Sequence, residues 1–163
     1  MHRILKHLFT TARALRRTFP PAVLDQVEAA IANSETRHGG EIQFAIESSL
    51  GLKALLGGVT AREQAVRAFA DLKVWDTEQN SGVLVYVLLS EQRIEIVADR
   101  GYAGRVSDQQ WQIVCADMQR AFAEGRFANG AIEAVEAIST LVEAHFPGTP
   151  DDVDERPNRP VLL

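Results

Sequence analysis

The residues of this chain that could do chemistry are carboxylates. Asp76 and Glu78 lead into an apolar run, and Asp99 follows the next strand-like segment. Asp108 opens a helical pattern, and Glu41 begins an earlier alternating stretch. Acids at the ends of neighbouring strands supply oxygen ligands, which together with loop carbonyls suit a hard cation such as Ca2+ or Mg2+. Asp99, Asp76, Asp108 and Glu41 are therefore the candidate metal ligands. Arg100, beside Asp99, could grip a phosphate bidentately; like Arg105, it could equally balance the local acids. Glu41 begins its strand whereas Asp99 ends another, so the two can face one site only if those strands run antiparallel. Each acid also has a purely structural use: Asp108 complements a helix dipole, Asp76 and Asp99 suit turns, and Glu41 can be solvated.

Other chemistries lack their residues. No GxxxxGK[ST] or GxGxxG follows a strand, so no nucleotide site is expected. His2, His7, His38 and His145 are scattered and no cysteine pair exists, which argues against zinc. No GxSxG elbow has a plausible histidine partner. The one cysteine, Cys115, sits in an apolar helical pattern and reads as a small core residue.

The elements that position the acids follow from periodicity. Val83 to Leu89 is a continuous apolar run bounded by Gly82 and the Ser90-Glu91-Gln92 turn, as expected for a strand buried on both faces. Arg93 to Ala98 alternates and forms its hairpin partner. Asp99 and Gly101 lie directly beyond that strand's end, where open α/β sheets usually hold ligands. Upstream, Pro20-Pro21 suits a helix start, and the helix carrying Val23, Leu24, Val27 and Ile31 runs to about His38. Glu41 to Glu47 is a first strand with Ile42, Phe44 and Ile46 on one face, and Leu50 to Gly58 reads as a loop. Thr60 with Glu63, and Ser107 with Gln110, are capping boxes. The first opens a helix expected to bury Val66, Phe69 and Leu72; the second opens one bearing Trp111, Val114, Cys115, Met118 and Phe122. A last helix spans about Asn129 to His145. The fold class expected is α/β, a three-layer α/β/α sandwich with a small mixed sheet of three to four strands.

At 163 residues, with 46% hydrophobic and 24% charged residues, the composition is that of an ordinary globular domain. Arg3, Lys6, Arg13, Arg16 and Arg17 put five positive charges in the first 20 residues. Against a net charge of −5, this leaves −10 for the rest. An acidic body argues against nucleic acid as a partner. Ile4, Leu5, Leu8, Phe9, Ala12 and Leu15 make one apolar face opposite the basic residues. No apolar stretch is long enough for a signal peptide or a membrane span, so a cytoplasmic protein is expected. Contact of residues 1–18 with an anionic membrane is the alternative to packing on the body or on another subunit. Three parts result: a basic amphipathic helix (1–19), an α/β/α domain (20–147) and an extended Pro/Asp-rich tail (148–163) that docks only through Val161-Leu162-Leu163.

The stretch WDTEQNSGVLVYVLL from Trp75, EIVADRG ending at Gly101, and Trp111 together resemble the TPM domain in its short, soluble bacterial form. SETRHGGEI from Ser34 to Ile42 and AHFP from Ala144 to Pro147 extend the resemblance over roughly residues 20 to 163. It implies an α/β/α sandwich and divalent-cation binding, and phosphatase activity has been attributed to plant relatives among thylakoid-lumen and photosystem-repair proteins. Longer members carry a Gly-rich stretch with a Glu and then an Asp after this hairpin. Here Gly101, Gly104 and Asp108 match, but Ala103 stands where the Glu would be. Two functions follow as expectations. One is a non-catalytic interaction or accessory module with an acidic, cation-binding loop and a protein partner, a membrane-associated one included. The other is a weak, metal-assisted phosphomonoesterase of acid-phosphatase type, in which metal polarises the phosphoryl group.

Overall fold

Burial of one strand on both faces organises the architecture. A computed structural model describes residues 3, 7, 10, 12–149 and 155–163. Its elements are α1 (Ala12–Thr18), α2 (Pro21–Glu35), β1 (Glu41–Glu47), α3 (Leu52–Leu56), α4 (Ala61–Asp71), β2 (Gly82–Leu88), β3 (Arg93–Ala98), α5 (Asp108–Ala123), α6 (Phe127–Glu143) and β4 (Val161–Leu162). The sheet order is β3-β2-β1-β4. β1 runs parallel to β2 and to β4, whereas β3 is antiparallel to β2. Every residue of β2 is buried, as its unbroken apolar run requires.

Two cores follow from the pleat. Ile42, Phe44, Ile46, Val83, Val85, Val87, Ile94 and Ile96 face α2, α5 and α6. Ala45, Leu84, Tyr86, Leu88 and Val97 face α4. The α/β/α sandwich with a small mixed sheet expected from the pattern is therefore present. Trp111 lies in the first core and meets Tyr102 edge to face with centroids 5.6 Å apart, so it is a packing residue.

Three local expectations need correction. Within residues 50–58, Leu52–Leu56 forms a short helix rather than loop. The α2 helix ends at Glu35, before His38. The face that α4 buries is Ala61, Ala65 and Ala68, whereas Val66 is 47% exposed and Phe69 and Leu72 are only half-buried. The physical reason is the sheet beneath: Leu84, Tyr86 and Leu88 fill that layer, so only a stripe of small residues lets the helix backbone approach. Both capping boxes form, with the Thr60 and Ser107 hydroxyls accepting the Glu63 and Gln110 amides. α6 begins two residues earlier than expected, at Phe127.

The N-terminal segment contributes to the first core. Leu15 and Phe19 are buried in it, and Phe19 packs edge to face on Phe122 and Phe127 at 5.7 and 5.8 Å. His7 accepts the Leu50 amide at Nδ1 (2.9 Å) and, through Nε2–H, bonds Glu91 (2.9 Å). Arg3 pairs with the same carboxylate at 2.7 Å. Ile4, Leu5, Leu8 and Phe9 of the expected apolar face, and Lys6 of the basic one, lie outside the described residues. So Pro20-Pro21 marks a change of helix, with Leu15 and Phe19 on the core side of it. Among the described residues no helix is long and apolar enough to cross a membrane.

His38 closes the opposite end. It is 1% exposed and bridges to Pro147. Its Nδ1 lies 3.1 Å from the Gly40 carbonyl oxygen, while Nε2 is buried with no hydrogen-bond partner among the described residues. Burial chiefly holds the imidazole pKa below its ordinary value, because a charged ring would present an N–H to apolar walls.

Two predictions follow. Phe19→Ala should cost about 3–5 kcal/mol and Val85→Asp more than about 4 kcal/mol, through a cavity and an unpaired buried charge; urea denaturation checks both. For His38 the folded pKa lies below the unfolded one, so folding binds fewer protons in that window. Its contribution is complete above about pH 6.5 and is lost as pH falls toward the lowered folded value. His38→Gln should therefore lose less of its urea midpoint between pH 7.5 and pH 5 than the wild type does.

Candidate functional site

The antiparallel return of β3 decides which acids meet. Glu41 pairs with Gly82 across β1–β2, and Val83 pairs with Ala98 across β2–β3. The Asp99 amide then donates to the Gly82 carbonyl at 2.9 Å. Glu41 and Asp99 therefore lie at the same end of the sheet, as an antiparallel pair of strands requires. This is the amino end of the parallel pair β1–β2, because β3 runs the other way. Asp99 thus follows the carboxyl end of β3, which runs antiparallel to β2, and not that of a parallel strand, where open α/β sheets usually hold a ligand.

Asp99 caps a 3-10 turn, Arg100–Tyr102, through Oδ1, which accepts the Arg100 amide at 2.7 Å. Its Oδ2 is buried with no hydrogen-bond partner among the described residues. Asn80, in a left-handed conformation (φ +53°), locks the turn from the facing loop. Its carbonyl accepts the Gly101 amide at 3.1 Å, and its Oδ1 accepts Arg100 Nε at 2.8 Å. At Gly101 any Cβ would collide with that Asn80 carbonyl and lie 3.0 Å from the Gln79 oxygen, so this position requires glycine. At Gly82 a Cβ would collide with the Val74 carbonyl, which lets the 72–81 loop lie against the start of β2.

Beneath the turn, Tyr102 donates its hydroxyl to the Ser81 carbonyl at 2.8 Å. It meets Trp111 and Phe146 edge to face, with the Phe146 centroid 4.9 Å away. Burial first, and then the Asp99 charge, push its pKa far above the ordinary phenol range. Tyr102 therefore stays neutral and holds the turn in place. The Arg105 guanidinium sits over the Phe146 ring at 5.4 Å, which accounts for that arginine as a packing group.

The remaining candidates have other surroundings. Glu41 is 5% exposed, and its Oε1 accepts the Glu155 amide at 2.9 Å. The Glu155 carboxylate in turn accepts the Glu78 amide at 3.2 Å. Asp76 is exposed at a turn whose amide bonds the Lys73 carbonyl at 2.9 Å. Asp108 is exposed in the first turn of α5 and lines a separate cleft of about 330 Å3 with Arg62, Glu95, Trp111 and Cys115. Among the described residues no three His, Cys, Asp or Glu side chains gather so as to hold a metal ion. Asp99 and Glu41 share a sheet end; Asp76 and Asp108 do not complete a ligand set with them. Arg100 is exposed with its Nε committed to Asn80.

Cys115 is half-buried, and burial, followed by the Glu95 charge, pushes its thiol up to about 11. It is a packing group rather than a nucleophile at neutral pH. Sequence reasoning missed Asn80, Tyr102, His38 and Glu155. An Asn before Ser-Gly and a Tyr directly after Asp-Arg-Gly were readable turn signals. Nothing in the tail composition marks Glu155 as a neighbour of Glu41.

Solved structures share this fold. The BA42 protein from the psychrophilic bacterium Bizionia argentinensis superposes with a TM-score of 0.76 at 26% identity, covering 95% of this chain and 96% of that one. The N-terminal domain of a protein from P. gingivalis gives 0.62 at 18% identity over 76% of each chain. The N-terminal domain of the cg2496 protein from Corynebacterium glutamicum gives 0.57 at 12% identity, over 83% of this chain and 80% of that one. The latter two support the fold alone. Among curated proteins no sequence matches. Residues 15–141 match the TPM domain, and with the fold just described the chain belongs to the TPM domain family.

Proposed function

We propose that this TPM domain is a non-catalytic accessory module whose acidic loop rim takes a divalent hard cation, Ca2+ or Mg2+, and presents it to a protein partner. The observation that carries the reading is Asp99 Oδ2, buried with no hydrogen-bond partner among the described residues, at the rim of a turn held by bonds from the Arg100 amide to Asp99 and from Arg100 and Gly101 to Asn80. A carboxylate oxygen withheld from hydrogen bonding costs free energy unless something binds it. The donor chemistry at this end, one carboxylate with loop carbonyls beside it, fits a hard cation rather than zinc. Because the acids are not gathered into a cage, Asp99, carbonyls and water would form a low-charge, weak site. Ala103, where longer relatives carry a Glu, accords with weak affinity. Asp76, Glu78 and Glu155 enlarge the negative rim, and a basic partner surface complements it.

Hydrolysis has less support. Ser81 donates its hydroxyl to the Gly39 carbonyl, His38 is sealed in the interior, and Arg100 is held by Asn80. The rim therefore lacks a nucleophile–base pair among the described residues. The basic segment 1–18 is the element that would meet a membrane-associated partner or an anionic surface, in a cytoplasmic setting.

A calcium titration followed by amide NMR shifts tests this reading. For a dissociation constant of about 1 mM, as in weak oxygen sites, about 10 mM calcium should stabilise the fold by about 1.4 kcal/mol. That corresponds to a rise of roughly 3–5 °C in Tm for a chain of this size. Shifts should concentrate in residues 76–80 and 99–104, and Asp99→Asn should remove most of the rise. Unperturbed amides in both loops would overturn cation binding. Phosphomonoester turnover with magnesium that Asp99→Asn abolishes would replace the accessory reading with the phosphatase one.

A further inference from the structure

The two ends of the sheet differ in charge. The amino end carries the acid rim of Asp76, Glu78, Asp99 and Glu155. The carboxyl end carries α3 and the N-terminal segment. α3 follows the end of β1 closely, and the Leu50 amide between them bonds His7. Arg3 donates to the Val59 carbonyl just beyond α3. α1 lies at the same end, because Ala14 and Thr18 line a cavity with Leu88 and Leu89, where β2 finishes.

Two sets of side chains at this end face solvent. Leu52 and Leu56 are 60% and 71% exposed. They stand four residues apart, hence on one face of α3, while Ala54 and Leu55 turn inward and pack on the second core. Glycines flank the helix, and a Cβ at Gly51 or Gly58 would meet nothing within 4 Å, so the flanking chain offers the pair no cover. Leu162 and Leu163 reach this end from β4 and are exposed as well. The second set is cationic. Because Leu15 turns into the core, Arg13, Arg16 and Arg17 of α1 are exposed, as is Lys53 beside Leu52. None of these four is in an ion pair among the described residues. The nearby acids are engaged: Glu91 with Arg3 and His7, Glu63 with Thr60, and the buried Glu47 with Tyr86. The charge left unbalanced is therefore positive, in a chain of net charge −5.

We propose that this end of the molecule docks on an anionic bilayer. Leu52 and Leu56 enter the boundary between headgroups and acyl chains, and Lys53, Arg13, Arg16 and Arg17 meet the lipid phosphates around them. Leucine is under-represented among the anchors of protein–protein interfaces, which fill matched pockets. A fluid interface accepts protruding aliphatic tips without a preformed pocket and attracts cations without fixing their positions. Docked in this way, the molecule turns its acid rim away from the negative lipid and toward the partner of the accessory module. The docking face itself does not depend on a cation at Asp99.

Co-sedimentation of the full-length chain with vesicles tests this. The chain should pellet with vesicles of phosphatidylcholine and phosphatidylglycerol in equal parts, and stay in solution with phosphatidylcholine alone. High salt should release it by screening the charges. Arg13→Gln/Arg16→Gln/Arg17→Gln should weaken binding roughly a hundredfold, at about fivefold for each basic residue near an anionic surface. Leu52→Asn/Leu56→Asn should weaken it by at least about tenfold without moving the urea midpoint, because both leucines are exposed. As a readout independent of affinity, Leu56→Trp should gain a blue-shifted emission on the anionic vesicles that the wild type does not show. Asp99→Asn should pellet as the wild type does, so failure of the cation site and failure of this face are read separately. No pelleting with anionic vesicles overturns the proposal. So does pelleting that the leucine variant retains in full, which would reduce the contact to charge on the N-terminal segment.

Discussion

Everything in this fold depends on the solvent exclusion of β2. A strand with no wet face must place every backbone N–H and C=O in a ladder, so it needs a strand on each side, and here these are β1 and β3. It must also have apolar cover above and below, which the helices α2, α5 and α6 supply on one face and α4 on the other. The two covers differ in kind. Large aliphatic and aromatic residues interlock on the first face, whereas alanines bring α4 close to the second, where Tyr86 stands. Tyr86 can be buried there because its hydroxyl donates to Glu47 at 2.6 Å, and the Glu47 carboxylate is also met by Gln64.

The same constraint sets the site. Once β2 is central, the tight connection to β3 makes that neighbour antiparallel, and the α3–α4 crossover makes β1 parallel. Glu41, Ser81 and Asp99 are then carried to one end by connectivity alone. The loop from Lys73 to Ser81 and the turn Asp99–Tyr102 meet there and are tied through Asn80. Tyr102 holds the assembly from below by packing on Trp111 and Phe146. The turn at the acid rim is thus held by hydrogen bonds and ring packing of neighbouring residues.

What could be read in the chain was whatever is governed by local period. The double-sided burial expected for Val83 to Leu89, which holds as far as Leu88, the alternation of β3, both capping boxes and the packing role of Trp111 each follow from near neighbours in sequence. The buried face of α4 did not, because an alanine stripe becomes a core face only when the opposing sheet is rich in large residues. The short helix Leu52–Leu56 escaped notice because Leu52 and Leu56 are exposed, leaving no amphipathic signature. At the site, Asp99 and Arg100 were visible as a turn beyond a strand. The contributions of Glu155, 114 residues from Glu41, and of His38 depend on chain crossings that no local pattern encodes.

The location of the free chemistry is itself a consequence of how the other end is filled. In open α/β sheets the carboxyl ends of parallel strands normally form the ligand crevice. Here the carboxyl ends of β1 and β2 are occupied by the protein. His7 accepts the Leu50 amide and bonds Ser90 and Glu91, while Arg3 adds a second cation to Glu91 and donates to the Val59 carbonyl. Polar groups at that end are thus satisfied by the N-terminal segment, which plays the part a bound molecule would otherwise play. At the amino end, by contrast, Asp99 Oδ2 is buried with no hydrogen-bond partner among the described residues. The N-terminal segment thus fills the end of the sheet where open α/β folds usually hold a ligand, and the Asp99 turn lies at the opposite one.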